Sequence, residues 1–252
     1  MIYREHPLPA EALAAAFCAW RFALEAGDPK SLVHTIPPDG TTNLLVVLGP
    51  DGERSARVVG PSLVAQTTRV HAGWRFAGLR LRPEAAVARF GELEPVYASL
   101  ARLAEREESW RLGDAATALL VRGASRDDAV AAAVDLLIAS GGTAPIGFVA
   151  RAAGLGERQL RRRFSAATGL APKQFASVQR VRRALILSLA GESWADVAFD
   201  AGFADQPHLN RSVRAAFGAA PRVIGGYVGG IRHEFLDPDP VRFVQDSGDR
   251  AA

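Results

Sequence analysis

A self-similarity with a period of 48–49 residues constrains this chain more than any other feature of its sequence. The first copy reads Ala150-x3-Gly154, then Leu160-x-Arg162-x-Phe164, then Gly169-x2-Pro172. The second reads Ala198-x3-Gly202, then Leu209-x-Arg211-x-Val213, then Gly218-x2-Pro221. One single-residue slip, between the first glycine and the leucine, separates the two. Each copy predicts two helices joined by a tight turn. Ala150 and Ala198 are small enough to let a second helix cross close by. Gly154 and Gly202 supply the positive φ that ends the first helix. Leu160 with Phe164, and Leu209 with Val213, are i,i+4 pairs on the inner face of the second helix. Gly169 and Gly218 close that helix, and Pro172 and Pro221 open the next one.

The outer face carries the chemistry. With Leu160 and Phe164 inward, Arg158, Arg161 and Arg162 share another face of the first unit's second helix. In the second unit the same geometry turns Gln206, His208, Arg211 and Arg214 outward. Arginine forks match guanine edges and phosphates, and glutamine matches adenine, so these seven are the candidate DNA contacts. Between the units, Pro172–Ala190 is one helical pattern of about 28 Å. Successive major-groove faces lie about 34 Å apart, so this helix suits two reading heads on one side of a duplex. Its own Arg180, Arg182 and Arg183 are placed to meet phosphates. From Arg151 to Arg183 nine basic residues face one acid, Glu157, a local +8 on a chain whose net charge is only +3. That concentration points to a polyanionic partner, double-stranded DNA before any membrane.

The preceding 122 residues mix both secondary-structure types. Ala10–Trp20, rich in alanine, reads as a short helix. Thr42–Leu48 reads as a buried strand, Gly49–Gly52 as a turn, and Ala56–Val59 as the partner strand. Trp74–Leu81 is a further strand, Pro83 opens a helix over Glu84–Phe90, and helices follow at Pro95–Arg106 and Asp114–Val121. From Ala129 to Tyr227 the periodicity is helical throughout. Catalytic and metal constellations are missing from the pattern. The five histidines are scattered, there is no phosphate-loop or dinucleotide fingerprint, and the one cysteine, Cys18, reads as a small buried side chain. The expectation is therefore no catalytic residue, no metal and no cofactor. No apolar run is long enough for a membrane span and no leader pattern opens the chain, so a cytoplasmic location is expected.

At these residues a family resemblance emerges. VARAAGLGERQLRRRFSAATGLAPKQF, the linker Arg180-x3-Ala184-x2-Leu187, and WADVAFDAGFADQPHLNRSVRAAFGAAP together resemble the DNA-binding domain of AraC/XylS transcriptional regulators. The resemblance covers roughly residues 128–227. It implies two recognition helices, here 157–167 and 206–217, reading an asymmetric site. By matching position it also carries over Arg158, Arg161, Arg162, Gln206, His208 and Arg211. Val213 stands where the family usually has an aromatic residue, Gly156 replaces a serine cap, and Ile224-Gly225 replaces Tyr-Arg. Pro207 sits in the first turn of the second recognition helix.

IPPDGTTNLLVVLG and the following VVGP are similar to a sensor-like domain often joined to such regulators. This implies effector binding or homodimerisation, with RNA polymerase as a partner of any activator. Trp74, Arg75, Phe76 and Arg80 on the alternating strand are the candidate pocket residues for a small-molecule effector. The fold expectation is an α+β N-terminal domain, a small antiparallel sheet or half-barrel with helices, over residues 1–122. A linker follows at 123–128, then an all-α domain with two helix-turn-helix units and a linker helix at 129–228, and a polar tail at 229–252. A DNA-tethered enzyme and a nonspecific architectural binder are the alternatives. Alkyl-transfer repair enzymes carry similar domains but need a zinc–cysteine cluster, which one cysteine does not build.

Overall fold

The computed structural model describes residues 1–25, 27–85, 90–106, 110–124 and 127–234. The N-terminal region contributes β1 (Ile2–His6), a 3-10 turn (Ala10–Ala14), β2 (Ala16–Ala23), β3 (Ser31–Ile36), β4 (Asn43–Leu48), β5 (Arg54–Val59), β6 (Gln66–His71) and β7 (Arg75–Leu81), then the helices α1 (Glu94–Glu105) and α2 (Asp114–Gly123). The helical region contributes α3 (Asp128–Ala139), α4 (Ile146–Ala152), α5 (Glu157–Thr168), α6 (Pro172–Leu189), α7 (Trp194–Asp200), α8 (Gln206–Phe217) and α9 (Pro221–Gly229), and the described chain ends in β8 (Arg232–Glu234).

Strand alternation sorts the sheet into two faces. The main sheet runs β5-β4-β7-β2-β1-β8, and β3 pairs with β6 in a second, two-stranded sheet. Leu44, Val46, Leu48, Ala77, Leu79 and Leu81 face α1 and α2 and meet Val96, Leu100, Leu103 and Leu120 in one core. Leu45, Val47, Phe76 and Phe22 face the other way, toward Val70 of the small sheet and Ile231. The expected strands at Thr42–Leu48, Ala56–Val59 and Trp74–Leu81, and the helices α1 and α2, lie where the sequence places them. The helix expected over Glu84–Phe90 falls partly on residues 86–89, outside the described residues, as do Ser125 and Arg126 of the linker.

Two expectations are corrected. Ala10–Trp20 is not a helix: after the 3-10 turn the chain enters β2 at Ala16 and pairs with β1 and β7. Alanine's helix preference yields here to tertiary packing, because Ala12, Ala16 and Ala19 are fully buried beneath the helices and larger side chains would hold the layers apart. The stretch after Gly229 is not all tail. Arg232–Glu234 pairs in parallel with Ile2–Arg4, returning the end of the helical region to the sheet.

In the helical region α6 serves two cores. Its first half gives Phe175 and Ala176 to a core with Val134, Leu137, Val149, Leu160 and Phe164. Its second half gives Val181, Ala184 and Leu187 to a core with Val197, Leu209, Val213 and Ile224. The sheet docks against both. A β-bulge between Ala16 and Cys18 carries Phe17, whose ring packs on the first unit's core. Arg82, stacked 4.9 Å over Phe17, bonds Glu84 Oε1 at 2.6 Å and also pairs with Asp135 of α3.

Candidate nucleic-acid interface

The paired units have matching local causes. Gly154 and Gly202 sit at φ +69° and +74°, directly after the helices α4 and α7, where a side chain would strain the turn. Gly169 and Gly218 cap α5 and α8 in the same left-handed conformation. The α5 helix buries Leu160, Phe164 and Thr168, and α8 buries Leu209, Val213 and Ala216. Val213 therefore occupies the core position that Phe164 fills in the first unit. The caps differ. Asp205 accepts from His208 N at 2.6 Å at the start of α8, whereas Gly156 offers no side chain at the start of α5. Gly225 stands where an added side chain would lie 2.8 Å from the Trp194 ring, which explains its place beside buried Ile224.

Arg158, Arg161 and Arg162 are all exposed on α5. Arg161 also reaches Glu157 at 3.2 Å, one turn back, an exposed pair that water screens. Arg163 differs. Its Nε and Nη2 grip Asp127 at 2.6 and 2.5 Å, and this guanidinium holds the Asp127 carboxyl below the usual carboxylate range. Asp127 also accepts from Val130 N at 3.1 Å, so one carboxylate caps α3 and fixes α5. On α8, Gln206, Arg211 and Arg214 are exposed. His208 is half-buried, edge-on to Phe203 at 5.3 Å, and its Nδ1 accepts from Ala204 N at 3.4 Å. That places it in the turn as well as on the outer face.

The linker-helix arginines are not displayed as expected for phosphate contact. Arg180 lies over the Phe203 ring at 5.7 Å, and Arg183 packs against Gly141. Burial lowers the pKa of both from the ordinary guanidinium value. Arg182 points instead into a cavity of about 210 Å³ between the sheet and α6. Phe76 and Arg80 also line this cavity, whereas Trp74 and Arg75 are not among its lining residues. Trp20 stands beside them, opposite Gly78 in the strand register, and its Nε1 donates to Asn43 Oδ1 at 3.0 Å. Sequence reasoning assigned Arg182 to phosphate contact and missed both its place in the cavity and the wall from α6. The signal was there: apolar residues surround this helix too broadly for one partner. Cys18 is buried, and burial pushes its thiol up to about 12, far from a reactive thiolate. Among the described residues no group of three or more histidine, cysteine or carboxylate side chains is placed to hold a metal ion.

Residues 149–224 match a family model described as a helix-turn-helix domain. This stretch is an AraC-type helix-turn-helix domain. The AraC-type domain takes in the second half of α4, all of α5 to α8 and the start of α9, and so includes both repeat units and α6. Among solved structures, the chain is similar to a transcriptional regulator with an AraC-type DNA-binding domain from Chromobacterium violaceum. The two are 25% identical, the match covers 40% of this chain and 92% of that one, and the TM-score is 0.38. It is also similar to ToxT from Vibrio cholerae O395, at 10% identity over 79% of this chain and 98% of that one, with a TM-score of 0.46. A search of curated proteins finds no match. Among the described residues no helix is long and apolar enough to cross a membrane.

Proposed function

We propose that this protein is a sequence-specific DNA-binding transcriptional regulator that reads two adjacent major-groove segments with α5 and α8. One observation carries the reading. Two helices of matching build each bury an apolar stripe in their own core, expose arginines on the opposite face, and hang from one 18-residue helix. At 1.5 Å per residue α6 spans about 27 Å, suited to heads one turn of DNA apart. In this reading Arg158, Arg161 and Arg162 on α5, and Gln206, Arg211 and Arg214 on α8, meet bases or phosphates. His208 holds the turn that aims α8. Residues 129–228 form the reading unit, and residues 1–122 form the sensing unit, with the cavity beside Phe76 and Arg80 as its effector site. Regulation of RNA polymerase follows from where the target site lies relative to a promoter.

Selection of bound duplexes from a random pool by the full chain tests this. The expected product is an asymmetric site with two half-sites about one helical turn apart, and an affinity that falls steeply with salt. Equal retention of all sequences would leave only a nonspecific basic surface.

A further inference from the structure

The two reading units are built on separate cores, so contacts between them have to set the direction of α8 relative to α5. Two points define the axis of a helix. At the leading end of α8, the turn at Gly202 lies against the methyl of Thr143, which precedes α4 of the first unit, too close for any side chain on the glycine. The trailing end is reached from the sheet. Residues 60–65 join β5 to β6 and touch the C-terminal ends of both recognition helices. Pro61 Cγ lies 3.9 Å from where a side-chain carbon would stand on Gly169, the cap of α5, and half-buried Leu63 packs on the first unit's core. Ala65 N donates at 2.6 Å to the carbonyl of Ala216, in the last turn of α8, where carbonyls have no partner within the helix. Between these contacts the Ser62 hydroxyl donates to the Val64 carbonyl at 2.5 Å and accepts from Val64 N at 3.2 Å, so the loop holds its own shape.

We propose that this loop is a second spacer between the reading heads, with Leu63 and Ala65 as positioning residues that set which separation of half-sites the protein accepts. The inference rests on the regulator reading and adds to it a source of specificity outside the helical repeat. Recognition helices present their N-terminal residues to base edges, so a loop at their C-terminal ends acts without touching a base. The lever is short. At 1.5 Å per residue α8 is about 18 Å long, so a shift of about 3 Å at its trailing end tilts it by about 10°. One base pair added between half-sites moves the second by about 3.4 Å along the duplex and turns it by about 34° around it. Referenced to the first unit at both ends, α8 meets one of these registers. Referenced at the leading end alone, it swings toward the neighbouring ones.

Selection from a random duplex pool by the full chain and its variants gives the separation of half-sites. Anisotropy then compares three duplexes: the selected one, the same with one base pair inserted between the half-sites, and one carrying only the α5 half-site. The wild type should lose about tenfold or more in affinity on insertion, as one half-site falls out of reach. Leu63→Ala, which loosens the loop from the first unit, should cut that loss to about threefold or less and broaden the selected separations, with binding to the single half-site unchanged. Leu63→Met keeps an apolar anchor and should restore the wild-type discrimination. Ala65→Pro removes the donor to Ala216 without touching either core; it should act as Leu63→Ala does, and it stands in if that variant does not fold. A merely structural role would instead lower the melting temperature and weaken binding to all three duplexes together. That uniform loss, equal discrimination in wild type and variants, or a selective wild type that tolerates the insertion overturns this inference alone. A wild type that selects no sequence overturns the regulator reading, and this inference with it.

Discussion

Acid should release the second reading unit from the sheet through a single histidine. His34 of β3 stacks on Phe22 at 4.1 Å, and its Nδ1 shares a 2.6 Å hydrogen bond with the hydroxyl of Tyr227 on α9. The same hydroxyl accepts from Thr35 N at 3.0 Å. Burial is the cause that holds the ring neutral, lowering its pKa from 6.5 to about 4. Because the folded value is depressed, the unfolded chain takes up the proton first as pH falls. The stabilising contribution is complete above 6.5 and is lost progressively down to about 4. Moving from pH 7 to pH 5 should therefore cost about 2 kcal/mol through this side chain alone. Urea denaturation at the two pH values, followed by tryptophan fluorescence, measures the loss. His34→Phe keeps the stack on Phe22 and removes the titration, so the wild type should lose about 2 kcal/mol more than the variant. The half-buried His233, whose pKa is also lowered, is present in both proteins and cancels. Equal losses in the two proteins would show that His34 is not protonated on unfolding in this range and would refute the argument.

Further outcomes follow from other contacts. Arg162→Ala should cost about 1–3 kcal/mol in specific DNA binding and leave the melting temperature unchanged, since the side chain is exposed and packs against nothing in the core; a shift in melting instead of affinity would move Arg162 out of the interface. Gly78→Ala places a methyl 2.4 Å from the Trp20 ring, which must turn and lose its bond to Asn43. The expected cost is about 1–3 kcal/mol in denaturation midpoints, with a change in tryptophan emission, and an unaltered spectrum would show that the ring had room. A chain ending at Gly230 should be less stable than one ending at Glu234. It loses buried Ile231, worth about 1.5–3 kcal/mol, and the pairing of Arg232–Glu234 with β1; equal stability of the two truncations would make that strand incidental.

What could be read from the sequence was local. Helix ends announce themselves through Gly154, Gly169, Gly202 and Gly218, and inner faces through Leu160–Phe164 and Leu209–Val213, because each signal depends on residues within one or two turns. The repeat then doubled every signal. The strands β4 and β7 were readable for the same reason, as short apolar or alternating runs bounded by turns. The strand β2 was not, because an alanine run obeys whichever partner covers it, and here that is a sheet beneath two helices. The three residues of β8 acquire their strand character only from Ile2–Arg4, some 230 positions away, which no window can see. The candidate site divides along the same line. Exposed Arg158, Arg161 and Arg162 follow from helical phase. By contrast, Arg80, Arg182 and Phe76 share a cavity only because α6 crosses that face of the sheet. Trp74 and Arg75 follow the same alternation and yet are not among its lining residues.

The two attachments of the helical region differ in kind, and the difference has a functional consequence. The first unit is held by buried, charged and aromatic contacts at once: Arg82 over Phe17, bonded to Glu84 and paired with Asp135, with Arg82 and Glu84 both under a tenth exposed. Opening this junction parts the buried Arg82 from Asp135, whose own side chain is more than half exposed, and leaves the guanidinium to Glu84 alone, so it carries an electrostatic cost as well as the loss of the Phe17 packing. The second unit is held by the Tyr227 hydroxyl, by one bond from Ala65 N to the Ala216 carbonyl at 2.6 Å, and by a three-residue strand. None of these buries a charge, and one of them titrates. The cavity lies at this weaker junction, since Val228, Ile231 and His233 line it together with Arg182. A perturbation of the sheet, whether acid or an occupant of the cavity, therefore reaches α8 before α5. In the DNA-reading role proposed above, α5 is the fixed head and α8 the adjustable one.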